Sequence, residues 1–116
     1  MEFKALNRAL LYNKAIRVHN KKNSLKITAL QIDVLYSAIC LQSGNKAVTI
    51  SNINLFMLKQ SIQHHYESIR LTVNYFLSVS ILIPSLTKDH CFTVSSYGVS
   101  VLNSFELCLR RVRHDR

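Results

Sequence analysis

The chain has 116 residues, 48% of them hydrophobic, enough for one globular domain with a modest core and too many for a disordered polymer. Its formal net charge is +9, which points to a polyanionic partner. No apolar run approaches the roughly 20 residues that span a bilayer. The start, Met1-Glu2-Phe3-Lys4, lacks the basic and then apolar order of a signal peptide. A membrane partner is therefore not expected, and the expected location is the cytoplasm.

Phe3, Leu6, Ala9, Leu10 and Asn13 recur at helical spacing and predict a first helix over 3–19, followed by the polar loop 20–24. Thr28-Ala29-Leu30-Gln31 has the form of a capping box. It opens a second helix with the apolar stripe Leu30, Val34, Leu35, Ala38 and Ile39, which Gly44 is placed to end in a left-handed conformation. Ala47–Ile50 reads as a short extended segment, and Ser51 as the cap of a short helix through Leu55, Met57 and Leu58. Ser61 is the expected cap of a longer helix over 62–78, with Ile62, Tyr66, Ile69, Val73, Phe76 and Leu77 on one face. The period then changes. Ile81–Leu86 and Cys91–Val94 read as two strands of a hairpin around the turn 87–90, with Pro84 confining the first to an edge. Ser95 can cap a last helix carrying Val99, Val101, Leu102, Phe105, Leu109 and Val112.

The charge sits at the ends. Residues 1–26 carry Lys4, Arg8, Lys14, Arg17, Lys21, Lys22 and Lys26 against Glu2, a net +6, and 27–109 are neutral. The tail adds Arg110, Arg111, Arg113 and Arg116 against Asp115, for +3. Attraction to phosphates with counterion release is the functional reading, and solubility is the plain one. Cys40, Cys91 and Cys108 are odd in number, far apart and flanked by apolar residues, so buried reduced thiols are expected, not a disulfide or a metal site. His64 and His65 are neighbours about 100° apart on a helix and do not easily share one ion, so no metal or other cofactor is expected. With six carboxylates, no Gly-rich phosphate loop and no nucleophile elbow, catalysis is not expected either.

Phe92-Thr93-Val94-Ser95-Ser96-Tyr97-Gly98 resembles the segment after the wing in MarR-type regulators, with Ser in place of Thr, and PadR-like winged helices are close behind. Thr28–Leu35 is similar to the start of that family's second helix. The resemblance covers roughly 24–112 and implies a mainly α fold of about five helices with a small β-hairpin wing, a winged helix-turn-helix. One domain is expected: helix and basic loop over 1–23, helix-turn-helix core and wing over 24–95, helix and basic tail over 96–116. It departs at Ser80, where such proteins often have Gly, and in a wing carrying only Lys88, Asp89 and His90.

The resemblance implies a sequence-specific protein that binds double-stranded DNA as a homodimer and regulates transcription. Gln63, His64, Ser68, Leu71 and Thr72 are the expected base contacts, since amides and hydroxyls bond base edges and Leu71 suits a thymine methyl. Lys21, Lys22, Lys26, Lys46, Arg70, Lys88 and His90 are the expected phosphate contacts. Phe3, Leu6 and Leu10, with Leu102, Phe105 and Leu109, are the expected dimer interface, although each stripe can equally pack on its own domain. Two alternatives stand beside this: an accessory factor of a mobile element or replication system, and a protein-interaction module, which would account for Leu71 and Tyr75 on a polar face.

Overall fold

The computed structural model describes residues 2–114, with side chains from residue 10 onward. Five helices and one hairpin follow each other as α1 (Glu2–Lys22), α2 (Ala29–Ser43), α3 (Ile50–Lys59), α4 (Tyr66–Ser78), β1 (Leu82–Pro84), β2 (Phe92–Val94) and α5 (Ser96–His114). The protein is thus mainly helical with a small antiparallel hairpin, as expected. Among the described residues no helix is long and apolar enough to cross a membrane.

The start of α2 is set locally. Thr28 Oγ1 accepts the Gln31 amide at 3.2 Å, and Gln31 Oε1 accepts the Thr28 amide at 3.1 Å, so both halves of the capping box form. Upstream, Asn20 accepts the Ile27 amide and donates to the Ile27 carbonyl, folding the loop back onto α1. Ile32, Val34, Leu35, Ser37 and Ala38 are buried all round the helix, because α2 packs against all four other helices. It is the middle layer. On one flank α3 and α4 pair with each other, and on the other α1 and α5 do. Tyr12 meets Phe105 edge-on there, with ring centroids 5.2 Å apart.

The ends of α2, α3 and α4 share one device, and it corrects two expectations. Asn45, Ser61 and Ser80 have φ of 57°, 61° and 62°, the left-handed region. After each, the next amide returns to a carbonyl five residues back: Lys46 to Leu41, Ile62 to Met57 and Ile81 to Phe76, all at 2.9 Å. These are Schellman closures. Gly44, with φ −87°, is therefore not the left-handed residue, and Asn45 is. Ser61 closes α3 instead of capping α4, so α4 begins four residues later than expected, behind His65, which makes no side-chain cap. Thr49, not Ser51, caps α3, its hydroxyl accepting the Asn52 amide at 3.0 Å.

The strands pair Leu82 with Val94, Ile83 with Thr93 and Pro84 with Phe92. Both are shorter than expected. Of the extended segment before α3 a single bridge survives, Val48 to Phe92, with the Phe92 amide 2.9 Å from the Val48 carbonyl. Thr49 is already committed to its cap. Gln42 Oε1 accepts the Val94 amide at 2.8 Å and ties the hairpin to α2. Ser95 caps α5 as expected, accepting the Gly98 amide at 3.0 Å. Gly98 is glycine because α5 presses on the hairpin: a Cβ would lie 2.7 Å from the Ile81 carbonyl oxygen and 2.9 Å from Val94 Cγ1.

Candidate nucleic-acid interface

Helix α4 is amphipathic. Ile69, Thr72, Val73 and Phe76 are buried, while Glu67, Leu71, Asn74, Tyr75 and Ser78 form one outward stripe at offsets of 4, 3, 1 and 3. Leu71 is 55% exposed and Tyr75 37%. Thr72 is taken from the expected base contacts by this geometry. It is 7% exposed, and its hydroxyl donates to the Ser68 carbonyl at 2.8 Å. The expected helical face had the right period, but Thr72 lies on its inner edge.

Gln63 and His64 lie in the connection before α4, not on the helix, because Ser61 ends α3 there. They share a hollow of about 430 Å³ with Leu30, His65 and Ser68. Three of the expected base contacts thus converge, with Leu71 one turn further along. His64 Nε2 is 3.2 Å from Asp33 Oδ2, a carboxylate only 5% exposed in the first turns of α2. This contact joins residues 31 apart and fixes the start of α4, which has no cap of its own. No local pattern announces it.

The charges along this flank nearly cancel. Arg70 donates from Nε to Glu67 Oε2 at 3.0 Å, and its second nitrogen pairs with Oε1. The Arg70 guanidinium, by hydrogen bond and charge, holds the Glu67 carboxyl below its usual range, and Glu67 raises Arg70 in turn. The i,i+3 spacing is the local signal of this pair. Lys46 is exposed between α2 and α3, and Lys88 and His90 are exposed in the hairpin loop beside the fully exposed Leu86.

The remaining expected contacts lie on the other flank. Lys21 and Lys22 are exposed in the last turn of α1. Lys26 folds back onto the carbonyls of Asn20 and Asn23, so it serves the end of α1. Leu10 is exposed, and Leu109 is partly buried against the core. Leu102 and Phe105 are buried in the chain's own core, at 6% and 1% exposure, because α1 packs on α5 within one chain. The side chains of Phe3 and Leu6 lie outside the described residues. Cys108 is buried as expected, but Cys40 and Cys91 are only half-buried, and all three are free thiols. Among the described residues no group of three or more His, Cys, Asp or Glu gathers as a metal site. Comparison with known protein families, with curated proteins and with solved structures finds no match.

Proposed function

We propose that the chain is a winged helix-turn-helix protein of the MarR or PadR kind, which binds double-stranded DNA as a homodimer and regulates transcription. The observation that carries this reading is the bridge between Val48 and Phe92. It joins the segment between α2 and α3 to the second hairpin strand, so the order helix, extended segment, helix, helix, hairpin closes on itself. In that arrangement α4 is the recognition helix and the hairpin loop is the wing.

The outward stripe of α4 supplies the chemistry. Asn74 can pair bidentately with adenine, and Leu71 can meet a thymine methyl. Gln63 and Ser68 extend the surface toward the start of the helix, while His64 is held by Asp33. Arg70, Lys46, Lys88 and His90 are the phosphate contacts of this duplex, and Lys21, Lys22 and Lys26, expected beside them, lie at the end of α1 on the other flank and are not among them. Dimerisation falls to Phe3, Leu6 and Leu10 of α1 with Leu109 of α5, since Leu102 and Phe105 are committed to the core. Sedimentation of the purified chain tests it.

The deciding experiment is a salt titration of binding to a labelled duplex from the gene's own upstream region, beside a scrambled duplex. A preference of roughly a hundredfold at near-physiological salt is expected. Replacing Leu71 and Asn74 by Ala should erase the preference, and replacing Arg70 by Ala should weaken both duplexes alike. Equal binding that vanishes with salt would overturn sequence reading. The exposure of Leu71 and Tyr75 on an uncharged stretch favours a second reading, a protein-interaction module. On that reading Leu71→Ala breaks a protein complex and leaves duplex affinity unchanged.

A further inference from the structure

Most of the basic residues of this protein lie outside the segment that carries α4. Helix α4 faces α2, α3 and β1 with its buried side and carries Arg70 already paired to Glu67. On the other flank of α2, Lys22 from the end of α1 and Arg110, Arg111 and His114 from α5 line one open groove of about 560 Å³. Ser104 adds a hydroxyl to its wall. Lys22, Arg110 and Arg111 are exposed, and no carboxylate of the described residues pairs with any of the three. Three like charges from two elements therefore share one groove that no carboxylate of the described residues lines, Glu106 lining a second hollow with Arg110 instead, and their mutual repulsion costs stability in the free protein.

We infer that this groove is a second phosphate-binding surface, which holds the backbone of a nucleic-acid duplex other than the one on α4, so that one molecule bridges two DNA segments. The inference rests on the reading of α4 as the first DNA contact. The molecule measures 46 × 32 × 25 Å. Duplex DNA is stiff over about 150 base pairs, so a duplex lying along α4 does not curl around α2 to reach the groove. Guanidinium forks match phosphate oxygens, and a hydroxyl adds a neutral donor. A membrane surface fits less well. A helix lying in lipid needs a contiguous outward apolar face, whereas Leu102, Phe105 and Cys108 of α5 are buried and Leu107 is the exposed apolar residue of the groove. A second copy of the chain would set the same positive charges against each other.

The test uses one duplex fixed to a bead, a second labelled duplex in solution, and the full chain. The wild-type protein should carry the second duplex onto the bead. The triple variant Lys22→Ala, Arg110→Ala, Arg111→Ala should bind the first duplex within about twofold of wild type and lose at least tenfold in capture. The salt dependence of capture should flatten by about two to three units of log–log slope. The charge-preserving variant Lys22→Arg, Arg110→Lys, Arg111→Lys should retain capture. Circular dichroism melting checks that both variants fold. Undiminished capture by the alanine variant overturns the inference, as does an equal loss of binding to the first duplex. So does a groove-dependent preference for anionic vesicles or polyglutamate over DNA. If the α4 substitutions Leu71→Ala and Asn74→Ala leave duplex preference untouched while capture still needs the groove, the α4 reading fails and the groove stands.

Discussion

The two flanks of α2 are built of different materials. The flank of α3, α4 and the hairpin is joined by tight closures at Asn45, Ser61 and Ser80, and its charges nearly cancel. The flank of α1 and α5 is held by aromatic packing of Tyr12 on Phe105 and gathers Lys22, Arg110 and Arg111 in one groove. Geometry is fixed on one side and charge collected on the other. A helix that must present a defined face benefits from closed ends and few long charged side chains. A surface that holds a backbone of phosphates needs charge more than exact placement.

Breaking the packed flank should cost most. Phe105→Ala removes a ring at 1% exposure and should lower stability by about 3–5 kcal/mol in urea unfolding. A loss under about 1 kcal/mol would mean that α5 is held by something other than this core. Gly98→Ala drives a methyl into the Ile81 carbonyl and Val94 where the hairpin meets α5, and should cost about 2–3 kcal/mol. His64→Ala removes the imidazole contact to Asp33 and should cost about 0.5–1.5 kcal/mol. Hydrogen exchange should then rise first in the opening turn of α4, and uniform exchange would show that the contact does not fix that helix.

Ser80→Gly sharpens the comparison in the other direction. It relieves a left-handed serine at the end of α4 and should stabilise by up to about 1 kcal/mol, read as a raised melting temperature. A lower melting temperature would place the added freedom of glycine in the unfolded chain above the relief of backbone strain. The smallest effect belongs to Arg70→Ala, because the pair it breaks is exposed to solvent. Glu67 has a lowered folded-state pKa, so its small contribution is present above the ordinary glutamate range and fades as pH falls through the folded value. Arg70→Ala should flatten that acid-side dependence, and an unchanged pH profile of melting would sink the assignment.

Residues close in sequence determined the parts of this protein that close on themselves. The Thr28 and Gln31 capping box, the Ser95 cap, the helical periods and the edge position of Pro84 were all legible, because each partner lies within four residues or within one period. Tertiary structure decided the rest. Whether Ser61 begins one helix or ends another turned on where Ile62 could pack, and that moved Gln63 and His64 off α4. Thr72 was lost to the interior because the inner edge of a helical face is defined by the neighbour it meets. The contact between His64 and Asp33, and the groove that gathers Lys22 with Arg110 and Arg111, join positions 31 and about 90 residues apart. No local pattern encodes such distances; only the packing of both helix pairs around α2 brings them together.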